Sequence, residues 1–280
     1  MTSRRVLPAL ALALVGLAGP AYAGGHVSPN GGGHGGGGGG HKTTTPLTYD
    51  VSYPQCSSRL PSPIEGAIVG VNDGIVYSAN PCLADEYAWA KTGTTYAPAF
   101  YANTADPGPA VSHKWPTGAT SPRTCDGSDS LDCSYDYGYL AAQDSFADAV
   151  AGTPAGVAAT SAWWLDVETG NSWESLESQY GYGPTASSYA NDLAALQGAQ
   201  DALAAEGVPS VGFYSTSYQW TQITGSTGQF PTNPSWVAGT GSLSTAQSNC
   251  TSVGFTGGAV AWAQYYANGL DADYPCPTGA

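Results

Sequence analysis

From Leu47 onward the chain alternates short apolar runs with amphipathic stretches. The runs are "LTYDVS", "GAIVGVN", "TYAPAFYANT", "SAWWLDVE", "VPSVGFYS", "PSWVAG" and "GGAVAWAQYY". Each is rich in aliphatic or aromatic residues and bounded by turn formers, which predicts a strand. Between them, "CLADEYAWAKTG" predicts a helix that stops at Gly93, and "GYLAAQDSFADAVAG" predicts a second. In "SSYANDLAALQGAQDALAAEG", Tyr189, Leu193, Leu196 and Leu203 fall near one helical face, and Gly207 supplies a stop. Alternation of strand and helix implies parallel strands joined by crossover helices. The predicted fold is α/β, an irregular TIM-like β/α barrel over residues 47–280, preferred to an open sheet on length and strand number. The stretch from Asn103 to Tyr135 breaks the rhythm. It is rich in Pro, Ser, Gly and Asp, too long for an ordinary loop, and is expected to lie over one end of the barrel.

Ahead of this domain the pattern changes. Residues 1–23 carry Arg4 and Arg5, an apolar run and a closing "AYA", the layout of a secretory signal peptide cleaved after Ala23. Residues 24–46 form a Gly/His-rich linker with His26, His34 and His41, a composition that cannot bury a core and is expected to act as a flexible tether. The apolar run of the signal is too short for a membrane span, and no later stretch is long enough. The expected location is therefore extracellular, without membrane insertion. Six cysteines follow the signal, an even number, which in an exported chain predicts disulfide-stapled loops. The expected pairing is Cys56–Cys82, Cys125–Cys133 and Cys250–Cys276, because each closes a short local loop. No C-x-x-C spacing suggests a metal site. The formal charge of −14 becomes −16 once Arg4 and Arg5 are removed, which argues against nucleic acid as a partner and is compatible with neutral sugars. A monomer is expected.

Elimination narrows the chemistry. His113 is the single histidine of the folded domain, no G-x-S-x-G elbow is present, and neither a P-loop nor a Rossmann fingerprint follows a strand. No metal or cofactor is expected. Carboxylates remain, in a chain with eight Trp and eighteen Tyr, and sugar sites often combine the two. In "WWLDVE", strand alternation puts Trp164, Asp166 and Glu168 on one face and Trp163, Leu165 and Val167 on the other, toward the helices. Two acids at the C-terminal end of a barrel strand occupy a catalytic position; the alternative is that they cap the loop through Gly170. Their separation along the strand, about 6.6 Å, falls between the spacings of retaining and inverting glycosidases and leaves the stereochemistry open.

Five segments in order resemble glycoside hydrolase family 25, the Chalaropsis-type lysozymes. They are "YDVSYPQ", "AIVGVNDG", "WWLDVE", "GVPSVGFYSTSYQW" and "WAQYYANGLDADY", spread over nearly all of residues 47–276. The resemblance implies that Glu168 is the general acid, that Asp166 assists it or orients the substrate's N-acetyl group, and that Asp50 lines the same pocket. It implies substrate-binding roles for Asp73, Tyr214 and Gln264, with Asp271 or Asp273 as the last carboxylate. Tyr101 is expected to join this set, as is Trp164, which shares a face with the two acids and is expected to supply an apolar wall. It also implies retention of configuration. The sequence departs from that family in having Asp73 where Glu is common, "AFYANT" in the third strand, and the irregular segment after it.

The function expected from these features is a secreted glycoside hydrolase acting on an N-acetylated β-linked polysaccharide such as peptidoglycan. The alternative is a barrel that binds glycan or the cell envelope without cleaving it. Because the linker buries nothing, a chain beginning at Thr43 is expected to melt at the same temperature as the longer one in a thermal scan. A loss of several degrees would show that the Gly/His segment docks on the domain.

Overall fold

The computed structural model describes residues 46–118 and 122–277. The signal peptide and the histidines at 26, 34 and 41 lie outside the described residues.

Eight strands close into a barrel in chain order. They are β1 (Thr48–Val51), β2 (Gly66–Gly70), β3 (Ala99–Asn103), β4 (Trp163–Asp166), β5 (Val211–Ser215), β6 (Ser235–Val237), β7 (Val260–Ala267) and β8 (Leu270–Pro275). The first seven coincide with the seven apolar runs and pair in parallel. β8 was not among the expected strands. It runs antiparallel to both β7 and β1 and closes the barrel as the second arm of a hairpin. Its sequence, "LDADYP", puts acids where an ordinary strand would carry apolar residues, so the hydrophobic pattern does not reveal it.

Six helices complete the fold: α1 (Leu83–Ala90), α2 (Leu131–Gly152), α3 (Val157–Thr160), α4 (Ala186–Ala205), α5 (Ser217–Thr224) and α6 (Leu243–Asn249). α2 begins seven residues before the predicted start at Gly138, so the irregular segment ends at Ser130 rather than Tyr135. Ser130 caps the helix by accepting the Cys133 N–H. The first two turns carry Cys133, Tyr135 and Tyr137, all buried, and their aromatic spacing does not read as an aliphatic helix stripe. α5 and α6 each start behind a hydroxyl cap, Thr216 and Ser242, that accepts an N–H three residues on.

Two apolar layers hold the barrel. Outside, Val69, Phe100, Trp163, Leu165 and Phe213 face the helices and meet Phe146, Leu196, Leu203 and Trp220. Trp163 stacks on Phe146 with ring centroids 5.9 Å apart, and its indole N–H donates to the Ala158 carbonyl. Inside, Ile68, Trp164 and Trp236 are buried, with Tyr101, Tyr214 and Trp262 packed beside them. The alternation expected for "WWLDVE" is therefore observed. The three disulfides join the expected partners. Cys56–Cys82 ties the loop after β1 to the start of α1. Cys125–Cys133 ties the irregular segment to the first turn of α2. Cys250–Cys276 ties the end of α6 to the residue that follows β8. Each of the two bridges spanning 26 residues stabilises by about 3 kcal/mol on the chain-entropy account. The irregular segment sits at the C-terminal ends of β3 and β4, where Asp106 bridges to Trp173. Trp115 within it stacks on Tyr137 of α2.

Room for Trp164 comes from Gly212 on β5, its register partner. A Cβ at that position would run into the indole ring of Trp164 and close on the Pro234 carbonyl. Overpacking of this kind costs about 1–3 kcal/mol. Gly212→Ala is therefore expected to lower the melting temperature by about 3–10 °C. Gly170→Ala, where a Cβ meets nothing within 4 Å, is the neutral control. Equal melting of the two variants would contradict the packing described.

Candidate active site

The inward positions at the C-terminal ends of the strands carry acids and amides. Asp166 ends β4 and is buried. Its Oδ2 accepts from Asn103 Nδ2 on β3 at 2.8 Å, while Oδ1 is buried without a partner. Glu168 lies two residues beyond the strand and is half-buried. Its Oε1 accepts from Gln219 Nε2 of α5 at 3.2 Å. Gln219 is itself oriented, since its Oε1 accepts the Thr169 N–H at 2.7 Å and the Thr169 hydroxyl at 2.9 Å. The loop through Gly170 is held by the Glu168 carbonyl, which accepts from Asn171 N–H and from the Trp173 indole. The carboxyl is thus not the group that caps the loop.

Across the mouth, Asp50 Oδ2 on β1 accepts from Gln264 Nε2 of β7 at 3.0 Å. Gln264 Oε1 accepts the Tyr214 hydroxyl at 3.0 Å and the Gly239 N–H at 3.1 Å. Asp273 on β8 accepts from the Trp236 indole at 2.7 Å. These bonds knit β1, β5, β6, β7 and β8 into one rim. Beneath them lies the aromatic floor of the barrel interior, with Trp164 against Trp236 and Tyr214 close upon Trp236.

Every carboxyl of this group holds its proton more tightly than in water. Burial pushes Asp50 up to about 7, with the charge of Asp271 adding to it. Asp166 is raised well above the carboxylate range by burial, then by Glu168 and Asp50. Glu168 is raised by burial and by Asp271, against the hydrogen bond from Gln219. Asp273 is raised by burial and by the charge of Asp50, against the hydrogen bond from the Trp236 indole. Asp271 is raised by burial. Burial followed by the neighbouring acids also raises the Tyr101 and Tyr214 hydroxyls, which stay protonated. No cation relieves this repulsion; among the described residues the one ion pair joins Arg123 to Asp132, on the surface. Low dielectric and like charge act together here, the combination that poises a carboxyl to donate a proton.

No protein-family model matches the chain, and no curated protein does. Its path is similar to that of several solved structures. A glycosyl hydrolase 25 of Streptococcus pneumoniae is 17% identical, with 84% of this chain and 88% of that one covered at a TM-score of 0.49. A bacterial lysozyme from Streptomyces coelicolor is 16% identical, with 85% and 94% covered at 0.49. A muramidase from Trichobolus zukalii is 17% identical, with 84% and 95% covered at 0.48.

Of the residues singled out in the sequence, Asp50, Asp166, Glu168, Tyr101, Tyr214, Gln264, Asp271 and Asp273 are brought together. Asp73 is not. It is exposed in the turn after β2, where its N–H donates to Ser78, and no described hydrogen bond joins its carboxyl to the cluster. The neighbouring Asn72 turns inward instead, and its Oδ1 accepts the Asn103 N–H. Trp164 is only 4% exposed, so it forms the floor under the acids rather than a surface for substrate. Gln219 and Asn103 were not proposed as site residues. The "TSYQ" spacing marks the start of α5, yet only the fold turns the Gln219 amide toward Glu168. Among the described residues, one group has metal-like spacing, Cys56, Cys82 and Glu86, and its two sulfurs are already joined in a disulfide.

A second acid cluster fixes the irregular segment. Asp106 and Glu174 are buried, Asp192 of α4 accepts the N–H groups of Glu174 and Ser175, and Asn191 bridges Glu174 to Asp129. Burial and Asp106 push Glu174 up to about 9. Acids of this kind contribute stability that is complete below their unfolded value, about 4, and lost as pH rises through the folded value. For Asp50 that loss is complete near 7 and for Glu174 near 9. The melting temperature is therefore expected to fall from about pH 5 to about pH 9, and Glu174→Gln to flatten the upper part of the decline. A melting temperature that climbs across this window would contradict the assignment.

Proposed function

We propose that this chain is a secreted glycoside hydrolase that cleaves an N-acetylated, β-linked polysaccharide such as peptidoglycan, with Glu168 as the general acid. The observation that carries the proposal is the pairing of two carboxyls of raised proton affinity, Asp166 and Glu168, at the open end of a barrel. Glycosidic cleavage needs one carboxyl protonated near neutral pH within reach of the leaving oxygen. Glu168 meets that need. Burial and Asp271 raise its proton affinity, it is the more exposed member of the pair, and Gln219 fixes one oxygen while the other is left to donate. Asp166 cannot swing out, since Asn103 holds one oxygen and the residue is buried. Its role is to orient the substrate's acetamido group. Asp50, anchored by Gln264 and close enough to Asp273 for their charges to interact, forms the opposite wall. The ordered sequence motifs support the same assignment, as do the signal-like N-terminus and three disulfides for an extracellular setting.

The second reading, a barrel that binds glycan without turnover, is favoured by Asp73. The second-strand acid of the resemblance lies in an exposed turn apart from the cluster, so that constellation is one acid short. Activity separates the two. In the hydrolase, Glu168→Gln is expected to cut the release of reducing ends from peptidoglycan or chitin-type oligomers by about a hundredfold or more. Its melting temperature is expected to hold or rise, because a repulsive charge is removed. Wild-type protein that binds these glycans saturably but releases no reducing ends establishes the binding module instead.

A further inference from the structure

The hairpin that closes the barrel rises above its rim. β7 pairs with β6 only as far as Ala263, and β8 pairs with β1 only at Ala272 and Asp273. Beyond those residues the hairpin continues as a two-stranded tip, with Gln264 to Ala267 on one arm and Leu270 and Asp271 on the other. Two residues, Asn268 and Gly269, turn the chain with φ of 57° and 88°. Positive φ at both central positions is the type I′ geometry that matches strand twist, and Asn-Gly is its favoured sequence. Asn268 Nδ2 also donates to the Tyr49 hydroxyl at 3.0 Å, which pins the tip to β1. The tip is thus a fixed element.

Its register decides which way Tyr266 faces. Tyr266 stands directly opposite Asp271, so the two side chains share one face of the hairpin. Asp271 acts on both Asp50 and Glu168, which places that face toward the acid cluster. Alternation along β7 gives the same answer: Gln264, two residues earlier, bonds to Asp50 from the same side. Yet Tyr266 is 65% exposed, whereas Gln264 is 6% exposed. A large aromatic ring held open on the cleft face of a pinned hairpin has an apolar surface that nothing among the described residues covers. The flat C–H face of a pyranose fits such a ring, and the Asp271 carboxyl across the strand pair is placed to receive hydroxyl or amide N–H donors from the same sugar unit.

We propose that Tyr266, with Asp271 beside it, forms a sugar-stacking subsite for a pyranose unit of the bound glycan, next to the unit that is cleaved. The proposal rests on the glycan-directed function argued above and adds to it a residue that binds without taking part in proton transfer. Other exposed tyrosines lack this placement. Tyr53 leans over Gly74, Tyr180 lies on the turn that precedes α4, and Tyr218, in the first turn of α5, lines a groove with Leu176, Pro184 and Tyr189.

The test uses the full chain carrying Glu168→Gln, so that ligand is bound and not consumed. Calorimetric titration with a ladder of N-acetylglucosamine oligomers and with soluble uncross-linked peptidoglycan strands gives the parent affinity. Adding Tyr266→Ala is expected to weaken binding about tenfold, while Tyr266→Phe leaves it unchanged because the ring face is kept. Both variants are expected to melt with the parent, since the ring packs on little. Equal affinity of the Tyr266→Ala protein and its parent overturns the subsite while leaving the hydrolase assignment intact. A parent that binds neither probe overturns the subsite and the glycan-directed function together.

Discussion

Packing of Trp164 against Trp236 inside the barrel, at 5.8 Å between ring centroids, governs what happens above it. A barrel of eight strands must fill its interior with side chains. Here large aromatics from β3, β4, β5, β6 and β7 fill it, and Gly212 is small because Trp164 is large. That floor excludes water from beneath the acids. It also donates one hydrogen bond upward, from the Trp236 indole to Asp273. The acids therefore stand in a medium that disfavours their charged form, and their mutual repulsion adds to the effect. A floor of small residues would admit water and let the same acids ionise at ordinary pH.

Repulsion on this scale has to be held in place by something else. Around the cleft the restraint comes from amides: Asn103 on Asp166, Gln219 on Glu168 and Gln264 on Asp50. An amide can donate to a carboxyl without neutralising it, so it fixes position while the proton affinity stays high. Arg or Lys in the same places would fix position and lower that affinity. Outside the cleft the same chemistry recurs with a structural purpose. Asp106, Asp129, Glu174 and Asp192 join the irregular segment to the loop after β4 and to α4, with Asn191 again as the intermediary. The disulfide from Cys125 to Cys133 and the stacking of Trp115 on Tyr137 hold the other side of that segment. These contacts clamp the described parts of the segment at both ends.

The sequence made much of this legible, for identifiable reasons. Seven strands were visible because parallel strands buried on both faces leave continuous apolar runs. The disulfide pairing was visible because short loops close first, and Asp166 with Glu168 because strand alternation is rigid. β8 was hidden by the acids it carries inward, and the start of α2 by its tyrosines. Asp73 was assigned to the site by the resemblance of "AIVGVNDG" to the second strand of the lysozyme family. The chain instead turns at Gly74, which leaves Asp73 in solvent and gives the inward position to Asn72.

Taken alone, then, the sequence determined the kind of fold and the two acids that share a strand, and it pointed to local cross-links whose pairing the structure fixed, because these depend on local periodicity and short separations along the chain. The tertiary structure decided which amides meet those acids, that Trp164 is floor and not wall, and that Tyr266 stands open above the cleft. Gln264 and Asp50 are 214 residues apart along the chain, and Gln219 and Glu168 are 51. Contacts at such separations leave no periodic trace in the sequence. They exist only once the barrel closes and its register is fixed.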